Sequence, residues 1–214
     1  MIKPVFLRYV LMIVSALTFS GCLSVSDSPV PRFYTLQAVE QNAPAKQFDL
    51  ASKVIIGIGP IEIPEYQNRP QIVTRNKDGI IKFAQFERWG ESLDAGLARL
   101  ILEDLTRLLP EAQFQIFPCN FLIPIDFQVI INVIQLEGQL DKDLFLSTQW
   151  TVLDLKTKKM LLTKRTQIRQ PINPHTYAGL AKALSTACSS LSEEIAENLS
   201  ELSFKPEVKD VVLQ

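Results

Sequence analysis

A short inventory of reactive side chains sets the chemistry open to this chain. The single histidine, His175, follows Pro174 with no cysteine or second histidine beside it, so a metal would lack ligands there and no serine–histidine–acid relay can be specified. Glu193-Glu194 and the Asp141/Asp143 pair fall on expected solvent faces and turns, which is poor material for acid–base catalysis. No GxxxxGK[S/T] loop occurs, so any ATP would be hydrolysed by another subunit. Of the three cysteines, Cys22 stands directly after Ser20-Gly21 at the end of an apolar run, the setting best suited to a covalent reaction. The inventory predicts a non-enzyme with no catalytic residues, no metal and no cofactor.

The composition agrees. The chain has 214 residues, 47% hydrophobic and 21% charged, which suits one globular domain with appendages and excludes a disordered or fibrous chain. Twenty-two basic against twenty-three acidic residues give a net charge of −1, whereas a nucleic-acid binder carries a strong basic excess.

Residues 1–21 have the layout of an export signal. Lys3 and Arg8 precede the apolar run Tyr9–Phe19, which is about half the ~20 residues a membrane-spanning helix needs. Ser20-Gly21-Cys22 resembles the lipobox of bacterial lipoproteins, in which the cysteine thiol is acylated and becomes the new N-terminus. Cleavage there would leave twenty basic and twenty-three acidic residues, a net charge of −3. Leu23-Ser24 follows the cysteine, where lipoproteins kept at the inner membrane commonly show aspartate, so the resemblance implies the outer membrane. Residues 22–31 read as a lipidated tether, nine residues past the cysteine reaching ~30 Å at most. Cys119 and Cys188 then form an even pair, either bridged or with Cys188 free on the apolar stripe of a helix.

Patterning places the domain at 32–204 and a polar tail at 205–214. Strands are expected at 32–36, at 53–63 with a break near Gly59-Pro60, and at 71–75 and 80–86 around an Asp78-Gly79 hairpin turn. A helix over 91–109 carries Leu93, Leu97, Leu100, Ile101, Leu105 and Leu108 on one stripe, with Asp94, Arg99, Glu103 and Arg107 facing away. Strands follow at 113–117, 126–136, 144–155 and 160–168. A second helix over 174–202 has the stripe Leu180, Leu184, Cys188, Leu191, Ile195 and Leu199. Strands then helix, stated twice, predicts an α+β two-layer sandwich. Its mixed, mostly antiparallel sheet would be shared by two similar halves, as an internal duplication would give, with both long helices on one face.

Three segments then stand out: Phe33-Tyr34-Thr35-Leu36, the run Ile63 to Arg75 (IPEYQNRPQIVTR), and Phe86 to Leu93 (FERWGESL). Together they resemble the ABC-transport auxiliary lipoproteins of the PqiC type, over nearly the whole chain past the signal. The resemblance implies an outer-membrane lipoprotein facing the periplasm of a Gram-negative bacterium. It would be attached to outer-membrane lipid through Cys22 and work with an MCE-domain protein and an inner-membrane transport subunit in moving lipid and keeping the envelope intact. Several copies could ring the end of a symmetric MCE assembly.

Pro64, Tyr66, Arg69, Pro70, Arg75, Arg88 and Trp89 are the candidate partner-binding residues. Two prolines stiffen the first segment, and Arg and Trp are enriched at interfaces. The structural alternative has Arg69 and Arg75 satisfying carbonyls, Glu65 or Glu87, with Trp89 as a core plug. Lys156, Lys158, Lys159, Lys164, Arg165 and Arg169 crowd one hairpin, either as a basic finger or as lysine guarding a sheet edge. Two other functions are open. A stand-alone lipid-binding lipoprotein would need an apolar cavity between sheet and helices, and a structural envelope lipoprotein would have no transport partner.

Overall fold

The computed structural model describes residues 29–39, 47–50, 53–118 and 124–202. The signal region, Cys22, most of the tether, Cys119 and the C-terminal tail lie outside these residues. The described residues from Pro31 onward form one compact unit.

Among the described residues eight strands and two helices follow in the expected order: β1 (Arg32–Tyr34), β2 (Ile55–Glu62), a 3₁₀ turn (Glu65–Gln67), β3 (Gln71–Arg75), β4 (Ile81–Trp89), α1 (Leu93–Leu108), β5 (Gln113–Ile116), β6 (Phe127–Gly138), β7 (Asp143–Asp154), β8 (Lys159–Pro171) and α2 (Tyr177–Glu201). The fold is α+β, as the patterning implied. The single shared sheet is replaced by two: β1-β4-β3 and β5-β2-β6-β7-β8. β2 runs parallel to both β5 and β6, and β1 runs parallel to β4; the long ladders β6–β7–β8 and the β3–β4 hairpin are antiparallel. The repeat is therefore one of element order. The strands before α1 feed both sheets, whereas β6, β7 and β8 all lie in the larger one.

Both helices bury the stripes read from their spacing. Leu93, Leu97, Leu100, Ile101, Leu105 and Leu108 of α1 are buried, as are Leu180, Leu184, Cys188, Leu191, Ile195 and Leu199 of α2. The helices pack on each other and on the five-stranded sheet, α1 over β2 and β5, α2 over β7 and β8. Alternation along β7 supplies the floor: Leu144, Leu146, Thr148, Trp150 and Val152 are buried while Gln149 is exposed. Two apolar clusters result. One joins the three-stranded sheet to the first half of α2 through Ile72, Trp89, Leu97, Leu136 and Leu184. The other holds Ile56, Ile58, Leu105, Trp150 and Ile195.

Local signals explain the ends. Thr176 is extended and its Oγ1 accepts from the Gly179 amide at 3.1 Å, so α2 starts after the proline rather than at it. Gly79, at φ +81°, closes the β3–β4 turn in a conformation that costs glycine little. Cys188 is free and buried, and burial pushes its thiol pKa up, consistent with a small hydrophobe inside the helix layer. A buried carboxylate interrupts the apolar stripe of α1. Asp104 lies on the inner stripe of α1, where its carboxylate meets Arg107 Nη2 at 3.0 Å and accepts from Ser189 Oγ of α2 at 2.8 Å.

Candidate docking surface

The proline-bearing segment is a rigid shelf on the three-stranded sheet. Pro64 precedes the 3₁₀ turn, and Gln67, buried beneath it, donates from Nε2 to the Leu136 carbonyl of β6 at 2.7 Å. The Tyr66 hydroxyl reaches the same carbonyl at 3.4 Å. The Trp89 amide donates to the Pro70 carbonyl at 2.7 Å, fastening the far end of the shelf to β4. Held by side chains at one end and by its backbone at the other, the segment leaves Arg69 and Pro70 exposed. Arg69 lays its guanidinium over the Phe83 ring, 4.1 Å from the centroid.

The seven candidate residues therefore divide. Pro64 and Tyr66 are half-buried supports; Arg69 and Pro70 face solvent. Arg75 is a strut: it donates from Nη1 to the Gly79 carbonyl at 2.6 Å and pairs through Nη2 with Glu137 Oε1 of β6 at 2.7 Å. Arg88 is half-buried. Trp89 belongs to the core cluster, so its indole is a plug beneath the start of α1 and is withdrawn from any partner. Two aromatic residues outside the seven candidates stand at the surface instead, Phe33 at 65% exposure and Phe83 at 50%. Phe33 pairs in register with Arg88, which brings β1 to the same sheet. A three-residue strand is too short for alternation to say which way its phenylalanine points, and β4 carries a register shift opposite Gln71–Val73.

Glu87 serves neither Arg69 nor Arg75. Its carboxylate pairs with Arg32, whose Nε lies 3.0 Å from both oxygens, and accepts from the Tyr34 hydroxyl at 2.7 Å. β1 is thus clamped to β4 by a buried carboxylate. The Arg32 hydrogen bond, aided by Tyr34, holds the Glu87 carboxyl below the usual glutamate range. A carboxyl depressed in the folded state adds stability above its unfolded pKa, about 4.3, and that stability disappears as pH falls through the folded value. Acidification from neutral pH to below that range should therefore lower the melting temperature of wild type more than that of Glu87→Gln, whose amide does not titrate. Equal losses would remove Glu87 from the account.

Elsewhere, the hairpin cations are partly engaged: Lys156 Nζ meets Asp126 Oδ1 at 2.6 Å, and Arg169 meets Asp143 at 3.5 Å while stacking on Phe145 at 4.4 Å. The His175 Nδ1 atom lies 2.8 Å from the Leu140 carbonyl. Among the described residues no three His, Cys, Asp or Glu side chains converge as a metal site would require, and no helix is long and apolar enough to cross a membrane. The space between helices and large sheet is occupied by the two apolar clusters. A concavity of about 620 Å³ is an open cleft at the surface between Phe33–Val39 and the α2 residues Ala181, Lys182 and Ser185.

The model of the ABC-type transport auxiliary lipoprotein component matches residues 34–196, three quarters of the chain. The chain belongs to this family. The match runs from Tyr34, the last residue of β1, through most of α2 and includes the shelf, Phe83 and α1. Solved structures agree on the fold. The crystal structure of an uncharacterized protein superposes with a TM-score of 0.65 at 16% identity, covering 80% of this chain and 99% of that one. A Xanthomonas campestris protein of the DUF330 family superposes with a TM-score of 0.62 at 13% identity, covering 77% and 92%. None of the curated proteins matches the chain. As a member of the family, the chain is a lipoprotein of the transport auxiliary type.

Proposed function

We propose that this auxiliary lipoprotein is a non-enzymatic docking subunit. Acylated at Cys22 and held to the outer membrane by its lipid, it would receive the end of an MCE-type periplasmic tunnel fed by an inner-membrane transport subunit, and so support lipid movement and envelope integrity. Residues 1–21 would be removed as signal, 22–31 would be the tether, and several copies would ring the tunnel's end.

The observation that carries the reading is Arg69 stacked on half-exposed Phe83, presented by a shelf that is hydrogen-bonded at both ends, in a chain of the auxiliary lipoprotein family. Arginine and aromatic anchors on a preorganised backbone are the usual energetic centres of protein interfaces. Family membership supports a transporter as the partner.

The test is gentle detergent extraction of the native lipoprotein, with mass spectrometry of co-purifying proteins and lipids. Wild type should recover an MCE-domain protein, and Cys22→Ala should lose both membrane retention and most of that partner. Arg69→Ala or Phe83→Ala should leave the anchor intact while weakening partner binding by about 2 kcal/mol, roughly thirtyfold. Bound lipid with no protein partner would instead favour the stand-alone carrier.

A further inference from the structure

The β7–β8 hairpin is the strongest feature that docking leaves unused. Between Asp154 and Arg165 the chain carries five basic residues and one acid, on a protein whose net charge is −1. That acid is already engaged: Asp154 Oδ1 accepts from the Lys156 and Thr157 amides at 2.8 and 3.0 Å, capping the turn. Asp126 engages Lys156. Among the described residues Lys158, Lys159 and Lys164 have no carboxylate partner, and all three are exposed.

The backbone adds two further observations. Lys158 sits at φ +55°, a conformation in which asparagine or glycine would be less strained, so a charged residue occupies the tip at some conformational expense. One extra residue interrupts the ladder: Val152 pairs with Leu162 and Leu153 with Met160, leaving Leu161 unpaired. With the ladder broken there, two successive apolar side chains stand in solvent, Met160 at 65% and Leu161 at 39% exposure, directly after Lys158 and Lys159 in the chain. β8 is also an edge strand.

We propose that this hairpin is a second membrane contact, in which Lys158, Lys159 and Lys164 engage the headgroups of an anionic phospholipid surface while Met160 and Leu161 enter its interfacial layer. Its chemistry differs from that of the shelf. Lysine is depleted at protein interfaces, where arginine and aromatic residues concentrate, whereas a few lysines around a small apolar tip suit a diffuse layer of anionic charge. The proposal rests on the lipid-anchored reading only in placing the domain near a bilayer.

Full-length lipoprotein carrying Thr157→Cys would be labelled with an environment-sensitive fluorophore and reconstituted into phosphatidylcholine vesicles, with or without phosphatidylglycerol. Protein without the Thr157 substitution, treated alike, corrects for the other thiols. Emission should shift to the blue only with phosphatidylglycerol, and raising salt to ~1 M, where screening acts within ~3 Å, should reverse it. The ratio of membrane-bound to free tip should fall about fivefold for each of Lys158, Lys159 and Lys164 replaced by glutamine. An unchanged melting temperature would show that the variants are folded. Equal emission in both vesicle types, or a triple variant that behaves as wild type, would overturn the proposal; so would a shift seen only when purified transport partner is added. If the chain proves not to be acylated, flotation of the same proteins decides the matter, since only phosphatidylglycerol vesicles should carry the lysine-bearing form. The expected shift and flotation need no transport subunit, so failure of the docking reading leaves these outcomes intact.

Discussion

Trp150→Ala should lower the free energy of unfolding by about 3–5 kcal/mol, the range for truncating a large aromatic in a packed core. Trp150 is among the largest fully buried side chains, in the middle of β7 between Ile131 of β6 and Lys164 of β8, and beneath the second half of α2. Its indole N–H donates to Thr166 Oγ1 at 3.0 Å, and Thr166 is itself buried, so Trp150→Phe keeps most of the volume but strands that hydroxyl, at about 1–3 kcal/mol. Urea unfolding followed by far-ultraviolet circular dichroism measures both. Trp89 is the other tryptophan of the chain and belongs to the other cluster, so in Trp150→Phe fluorescence reports that cluster alone. One cooperative unit requires the fluorescence and dichroism midpoints to coincide in this variant. A fluorescence transition at lower urea would show that the three-stranded sheet unfolds first. A change below 1 kcal/mol for the alanine variant would mean that the site collapses around the lost ring.

Asp104→Ala should be nearly as severe, at about 3 kcal/mol, the lower end for breaking a buried ion pair because the Arg107 side chain is one third exposed. The carboxylate is wholly buried and bonded to both Arg107 and Ser189, so it is the polar link between the two helices. Its loss leaves a buried hydroxyl on α2 and a guanidinium without its counter-charge. Replacing both sides of the contact is a different matter: Asp104→Leu with Ser189→Ala exchanges a polar pair for an apolar one and should recover much of the loss. A double-mutant cycle with Asp104→Ala and Ser189→Ala should give a coupling of 0.5 kcal/mol or more, in the range of about 0.5–3 kcal/mol seen for contacting residues. Additive effects would show that the helices are held by their apolar stripes alone.

Element order and helix faces were readable because each rests on short-range periodicity. The leucine stripe of α1 and the stripe around Leu184 and Ile195 of α2 needed only their spacing. Asp104 had a signal of the same kind: it falls on the stripe between Ile101 and Leu108, and a carboxylate there requires a partner, although spacing does not say that the partner is Ser189, eighty-five positions away. Sheet membership was not readable. The Asp78-Gly79 turn put β3 beside β4, but strand patterning does not say which distant strand lies alongside, so β4 pairing with β1, and β2 pairing with β5 and β6, became visible only in three dimensions. The docking surface was half legible. Its arginine and prolines lie in one contiguous run, while Phe33 and Phe83 come from strands where outward direction depends on register. Trp89 shows the converse, a residue type common at interfaces whose strand position turns it inward.

β1 has a mechanical reading. It is the first of the described strands, and with the proposed anchor at Cys22 traction on the domain would arrive at Pro31 and pass into Arg32, Phe33 and Tyr34. Pulled along its own axis, β1 loads its backbone bonds to β4, the Arg32–Glu87 pair and the Tyr34–Glu87 bond side by side, and all must give together. Pulled sideways, it surrenders them singly, like a peeled strip. A tether that leaves the domain in line with β1 makes a strand of three residues a strong joint; one that leaves at right angles makes the same strand the first part to tear.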